Sequence, residues 1–336
     1  MSHANIPVFI PHLGCPNDCV FCDQRTISGR ESFREEDVAT QIESALETMC
    51  GKVCEIAFFG GSFTGIDREL MIRLLDTAEE YVKSGRVSGI RMSTRPDYIS
   101  DEIINIIKRY TLTEVELGIQ SMSDRVLATA RRGHTADDTR RAAKLLREAE
   151  IPFAGQMMVG LPGSSGEDEL YCAGEICRMG ASSYRIYPTV VFRGTCLAEM
   201  TRRGEYSPLT VDEAVSRSSE VLCVFETHGL RCLRIGLQDS ENLHSEERYL
   251  AGPVHPAMGE LVRGEVFLRH IEAQLSAEHM GQSLVFSVPF GKISAAAGHG
   301  GKNKSYLREK YGIKKIKFNE DAALSGFEVR VAELTL

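Results

Sequence analysis

Three thiols near the start of the chain stand with three and then two residues between them, in Gly14-Cys15-Pro16-Asn17-Asp18-Cys19-Val20-Phe21-Cys22. Cysteine thiolates in one short loop suit a soft metal centre. A tetrahedral zinc site would need a fourth nearby ligand, for which His12 is the available partner. An iron–sulfur cubane held by three cysteines instead leaves one iron open to an exogenous ligand. The apolar run Ile6-Pro7-Val8-Phe9-Ile10 reads as a short buried strand and puts the thiols on the loop leaving its end.

Other residues able to do chemistry also sit where apolar runs stop. Gly60-Gly61 follows Cys54-Glu55-Ile56-Ala57-Phe58-Phe59, and a pair of glycines there permits a close backbone approach, or simply a tight turn. Ser93-Thr94-Arg95-Pro96-Asp97 follows Ile90, Gln120-Ser121 follows Val115-Glu116-Leu117-Gly118-Ile119, and Gly160-Leu161-Pro162-Gly163 follows Phe153 to Val159, the run that carries Gln156. Arg131-Arg132-Gly133 ends a helical region.

These loops need a scaffold of alternating strands and helices. Val38, Ile42, Ala45, Leu46 and Met49 recur at helical spacing, as do Leu70, Leu74, Ala78 and Tyr81. Further helices are expected from Asp101 to Tyr110 and from a capping box at Thr135 and Asp138 to about Ala149. With the strand Tyr184 to Tyr187 and a helix opened by Thr210 and Glu213, six strand–helix units emerge. Such alternation requires a parallel sheet with helices outside it, and the chemistry-bearing loops fall at the strand ends, as in barrel-type α/β enzymes. After a strand at Arg231 to Leu237 the pattern breaks into the polar loop Gln238 to Pro256, two units short of a complete barrel. The expected organisation is a core barrel over 1–240, a connecting segment over 241–282 and a small α+β domain over 283–336.

Composition is that of an ordinary globular chain: of 336 residues, 43% are hydrophobic and 26% charged. No apolar run approaches the roughly 20 residues of a membrane span, and no signal peptide precedes Pro7. Ten cysteines in such a chain suit a reducing compartment, so a cytoplasmic setting is expected. Cys50, Cys54, Cys172, Cys177, Cys196, Cys223 and Cys232 fall in apolar patterns and read mostly as core residues. The formal net charge of −8 excludes a global nucleic-acid footprint. Lys292 to Lys317 is nevertheless locally basic, with Glu309 as its single acid.

The ordered motifs resemble the radical S-adenosylmethionine (SAM) superfamily. The resemblance implies a partial (β/α)6 TIM-like barrel, a [4Fe–4S] cluster on Cys15, Cys19 and Cys22, and SAM chelated at the open iron. Reductive cleavage of SAM would yield a 5′-deoxyadenosyl radical, with the electron from an external donor of flavodoxin or ferredoxin type. It further implies that Phe21 packs near cluster and adenine, that the Gly60-Gly61 backbone meets the SAM amino group, and that Ser93 and Gln120 touch the ribose and adjoining groups. Arg132 would meet the carboxylate, and Gln156 stands where related coproporphyrinogen oxidases carry a ribose-binding aspartate. Residues 6 to 237 are similar to the radical SAM portion of the Elongator catalytic subunit, through Phe59-Gly60-Gly61-Ser62-Phe63-Thr64, Ser93-Thr94-Arg95-Pro96-Asp97-Tyr98, Glu116 to Ser121, Arg132-Gly133-His134-Thr135, Gln156 to Gly163 and Ile186-Tyr187-Pro188-Thr189. The first cysteine gap is shorter here, and no acetyl-CoA phosphate loop is visible in the roughly 100 residues that follow. RNA, tRNA above all, is the expected substrate class. A porphyrin-like or other small-molecule oxidase and an RNA-binding iron–sulfur scaffold are the alternatives.

The tail has its own pattern. Leu284 to Pro289 reads as a strand, Ile293 to Ala297 as a short helix, then come Gly298-His299-Gly300-Gly301, a helix from Asn303 to Tyr311 and a strand Lys315 to Phe318. That is the outline of a KH domain, whose glycine loop clamps RNA backbone, with Lys302, Lys304 and Arg308 placed for phosphates. A small α+β cap with a glycine turn and a solvated basic face has the same outline.

Overall fold

The structure is a computed structural model; it describes residues 3–16, 19–23, 32–49, 51–238, 243 and 245–333. Strands β1 (His3–Phe9), β2 (Val53–Phe59), β3 (Gly89–Thr94), β4 (Leu112–Gln120), β5 (Phe153–Val159) and β6 (Ser183–Pro188) alternate with helices. These are α1 (Val38–Thr48), α2 (Arg68–Lys83), α3 (Asp101–Ile107), α4 (Asp124–Thr129), α5 (Ala136–Glu148), α6 (Gly166–Arg178), α7 (Cys196–Arg202) and α8 (Val211–Thr227). A two-residue strand, β7 (Val191–Phe192), lies before α7, and β8 (Arg231–Ile235) follows α8. Local chemistry sets the helix starts. Thr135 with Asp138, Ser165 with Asp168 and Thr210 with Glu213 form complete capping boxes, and Ser100 accepts from the Ile103 amide.

The main sheet has seven parallel strands in the order β1-β2-β3-β4-β5-β6-β8. β1 and β8 are its two edges and do not pair with each other, so the expected six strand–helix units form an open, curled half-barrel with one extra strand. Period-two alternation sorts the residues. Ile56, Phe58, Ile90, Met92, Val115, Leu117, Met157 and Ile186 are fully buried in the hydrophobic core. Their alternates Phe59, Ser93, Gln156, Met158, Arg185 and Tyr187 are only partly covered, which marks the concave face.

Residues 241–282 hold more than a connection: β9 (Tyr249–Ala251) pairs with β7, and α9 (Met258–Gln274) buries Val262, Val266, Phe267 and Ile271. Beyond it come β10 (Ser283–Val288), α10 (Ile293–Ala297), α11 (Lys302–Tyr311), β11 (Lys315–Glu320) and β12 (Arg330–Glu333). Their sheet has the order β11-β10-β12, with β10 parallel to β11 and antiparallel to β12. Phe267 of α9 meets Phe327 at 4.9 Å between ring centroids, and Leu284 and Phe286 belong to the same apolar cluster as Ile56. The barrel and the C-terminal sheet therefore share one core through α9. Among the described residues, no helix is long and apolar enough to cross a membrane.

Candidate functional site

The loop after β1 is held down by the loop after β2. Ile10 donates to Phe59 O, His12 to Gly60 O and Ser62 to Leu13 O, at 2.7, 3.0 and 3.0 Å. Backbone contact this close excludes side chains: a Cβ on Gly61 would lie 2.3 Å from Leu13 O, and one on Gly14 would lie 2.2 Å from Ser62 O. The close approach expected at Gly61 is thus made to the chain's own cysteine loop. Gly60 has a positive φ of 93°, which turns the chain out of β2.

Cys15, Cys19 and Cys22 are each partly exposed. The Cys22 amide donates to Cys19 O at 3.1 Å, while Val20 donates to Ala130 O and accepts from Leu197, which moors the loop between α4 and α7. Phe21 packs against a small apolar cluster containing Val20, Val126 and Leu161. Among the described residues, no three Cys, His, Asp or Glu side chains stand together ready to hold a metal ion. Mutual desolvation and like charge give three thiolates no reason to gather before a metal links them.

Across from the thiols, a bulge between Gly118 and Gln120 disturbs the end of β4, and Gln120 takes a φ of +66°. Arg132 follows Arg131, itself at φ +49°, and its side chain reaches back to this strand end. Its Nη1 donates to Cys19 Sγ at 3.4 Å and its Nη2 to Gly118 O at 2.8 Å. A Cβ on Gly118 would come within 2.8 Å of Arg132 Nη2 and 3.1 Å of Gln120 Nε2, so the glycine makes room for both. Two buried atoms here have no partner among the described residues, the Arg132 Nε donor and the Gln120 Oε1 acceptor. An orphan donor and an orphan acceptor on two side chains that meet near Gly118 suit a ligand that carries both an anion and a polar hydrogen. Burial pushes the Cys15 thiol pKa up, against the pull of Arg132 and Arg95 toward thiolate. His134 is buried, and neither ring nitrogen has a partner among the described residues; desolvation, then Arg132, lowers its pKa to about 3 and keeps it neutral.

The neighbouring strand ends are tied to this centre. Ser62 Oγ and Thr64 Oγ1 both bond Thr94 Oγ1, and the Arg95 amide donates to Ser62 Oγ at 3.1 Å. Ser93 lies opposite Glu116 in the ladder, and Gln156 lies between Gly118 and Arg185, on the concave face. Gly160, at φ +78°, is pinned by Glu169, which accepts from its amide at 2.6 Å and is forked by Arg217; Tyr206 donates to Gly160 O at 2.7 Å.

Below the mouth, the concave face is floored by charge that the motif reading did not assign. Arg91 bonds Glu55, Glu114 and Glu116, and Arg185 pairs with Glu116 at 2.7 Å while donating to Tyr187 OH and lying over the Phe59 ring. Alternating Glu and Arg in apolar strands was the available signal, because outward positions of a parallel sheet must be apolar.

The family description of the radical SAM superfamily matches residues 9–171, and that of the radical SAM C-terminal domain matches residues 181–267. The chain belongs to the radical SAM superfamily. An uncharacterized protein of Methanocaldococcus jannaschii is 30% identical over 236 residues, covering 66% of this chain and 71% of that protein. The tRNA uridine(34) acetyltransferase of Methanocaldococcus infernus is 37% identical over 246 residues. Those cover 62% of this chain but 46% of the acetyltransferase, so the chain spans about half of that relative. The solved structure of archaeal Elp3 from Methanocaldococcus infernus superimposes with a TM-score of 0.60 at 25% identity, covering 78% of this chain and 62% of that one. This radical SAM enzyme is thus Elp3-like in fold and sequence.

Several expectations need correction or placement. Cys196 is exposed at the first turn of α7, and Cys177, Cys223 and Cys232 are only partly buried, whereas Cys54 and Cys172 are core; Cys50 lies outside the described residues. In the tail, Gly298, Gly300 and Gly301 all have positive φ, and the space around Gly300 and Gly301 is open. Lys302 pairs with Asp212 at 3.1 Å and Lys304 lies over the Phe318 ring, so two of the three cations expected for phosphates have intramolecular partners.

Proposed function

We propose that this radical SAM enzyme binds a [4Fe–4S] cluster through Cys15, Cys19 and Cys22 and cleaves SAM reductively. The donor set fits: three thiols on one loop, a buried donor on the arginine that touches Cys19, and a buried acceptor on Gln120, both without partners among the described residues. The cluster, when bound and reduced by a flavodoxin- or ferredoxin-type donor, supplies the electron that turns SAM into methionine and a 5′-deoxyadenosyl radical. Arg132 Nε would donate to the SAM carboxylate while its Nη atoms keep their bonds to Cys19 and Gly118. Gln120 Oε1 would accept from the amino group or the ribose. Ser93 and Gln156 line the sugar side, and the Gly160 loop, held by Glu169 and Tyr206, closes the adenine side. Phe21 and the Gly60-Gly61 turn complete the pocket wall.

The substrate is RNA, most simply tRNA, a reading supported by the names of the acetyltransferase relatives and by the tail. There βααβ connectivity with parallel β10 and β11 presents an open glycine loop, Gly298 to Gly301, followed by a basic helix. The barrel over 1–240 would carry the chemistry, and the unit over 283–336 would hold the RNA backbone in a cytoplasmic setting. The single observation that carries the proposal is the Arg132 Nε, on the side chain that donates to Cys19, and the Gln120 Oε1 near Gly118, neither with a partner among the described residues. Isothermal titration of SAM into anaerobically reconstituted protein tests it. Arg132→Met and Gln120→Leu are expected to weaken binding by 10-fold or more, about 1.4 kcal/mol each, with iron content unchanged. Unaltered affinity in both would refute it.

A further inference from the structure

The Arg95 and Asp97 side chains form a charge pair, with the arginine buried and the aspartate 24% exposed, that the SAM contacts above leave unused. Two parallel bonds of 2.9 Å join them, Arg95 Nε to Asp97 Oδ1 and Nη2 to Oδ2, and the Arg95 side chain is only 4% exposed. The guanidinium lies against the ring of Tyr98, and its Nη2 is 3.1 Å from where a Cβ on Gly133 would be. Gly133, at φ +77°, follows Arg132, whose other face donates to Cys19. On the second side, the Arg95 amide holds Ser62 Oγ, and Ser62 in turn holds Leu13 of the cysteine loop. Arg95 therefore stands one residue behind the arginine that touches the thiols and is anchored to the loop that carries them.

We propose that Arg95 and Asp97 set the reduction potential of the cluster at Cys15, Cys19 and Cys22 by their charge, without touching cluster or SAM. The inference rests on the assignment of the cluster to this loop. Three thiolates around a cubane of core charge 2+ carry a net charge of −1, and one electron from the donor makes it −2 with no proton needed. A buried cation nearby stabilises the more negative state with little screening, and the partly exposed anion opposes it with a weaker, partly screened effect. Arg95 raises the potential and Asp97 trims it. Because the two residues share one fork, disturbing either breaks the same bonds, yet their charges act with opposite sign.

The test is a mediated redox titration, followed by electron paramagnetic resonance of the reduced cluster, on the full-length reconstituted protein and its variants. Arg95→Gln is expected to move the midpoint to more negative values and Asp97→Asn to more positive ones, with Arg95→Lys close to the parent. Shifts of the same sign in Arg95→Gln and Asp97→Asn, or none in either, would overturn the proposal in favour of a purely structural fork. If Arg95→Gln fails to hold its cluster, Asp97→Asn and Arg95→Lys still decide the sign. A parent protein that takes up no cluster would instead overturn the ligand assignment on which the proposal is built.

Discussion

Replacing Arg91 with methionine isolates the charge that floors the concave face. Arg91 is 3% exposed and bonds Glu55 Oε2 at 3.1 Å, Glu116 Oε1 at 3.3 Å and Glu114 Oε2. Without it, Glu116 keeps Arg185, and Glu114 keeps Ser182, Ser183 and a longer contact to Arg231 at 3.6 Å. Three carboxylates then share a buried space with too little positive charge. Removing one partner of a buried ion pair costs about 3–5 kcal/mol, because the remaining charges are not resolvated. Arg91→Met is therefore expected to lose about 3–5 kcal/mol in urea unfolding followed by circular dichroism. Neutralising the acids as well, in Arg91→Met/Glu55→Gln/Glu114→Gln, should recover most of that loss, since a buried ion cluster adds little net stability over neutral groups of similar size. A loss below about 1 kcal/mol in the single variant, or a triple variant no better than the single one, would refute the reasoning.

Gly61→Ala would put a methyl group 2.3 Å from one backbone oxygen and 2.8 Å from another, neither of which can swing away. It should destabilise by about 1–3 kcal/mol and lower iron uptake during reconstitution, read by colorimetric iron assay. Burial pushes the Glu114 carboxyl up, but the Ser182 and Ser183 hydroxyls and Arg91 outweigh it and hold its pKa below the ordinary carboxylate value of 4.5. The stability it contributes is present above pH 4.5 and is lost as pH falls through the depressed folded pKa. Glu114→Gln should flatten that acid limb in pH-dependent urea melts. Gly300→Asp, at a glycine with open space around it but a φ of +61°, should cost only about 1 kcal/mol of stability and weaken tRNA binding at least severalfold in fluorescence anisotropy, because a carboxylate would face the phosphates.

Much of the scaffold was legible because parallel strands buried on both sides need long apolar runs and helices announce themselves with caps. The Thr135 and Thr210 boxes and the strand Phe153 to Val159 stand where periodicity places them. The tail was legible as far as β11, since β10, α10 and α11 are bounded by Pro289 and by the glycines of the loop, but the four-residue β12 was not foreseen. Helix α9 was missed: its apolar residues surround it on several sides, where it meets α8, β8 and the C-terminal sheet, so no single stripe marks it. Motif order could bring Cys19, Gln120 and Arg132 to one mouth, as the structure does. It could not show that Gly61 faces the cysteine loop or that Arg95 backs Arg132, because both depend on how two strand-end loops stack in three dimensions.

The most direct measurement is iron, sulfide and 5′-deoxyadenosine from anaerobically reconstituted protein, with and without the Cys19→Ala substitution. The parent should hold about four irons per chain and release 5′-deoxyadenosine from SAM only when dithionite is present, while Cys19→Ala should lose both cluster and cleavage. A Cys19→Ala protein with full iron, or a parent with an intact cluster that leaves SAM whole after reduction, would contradict the account.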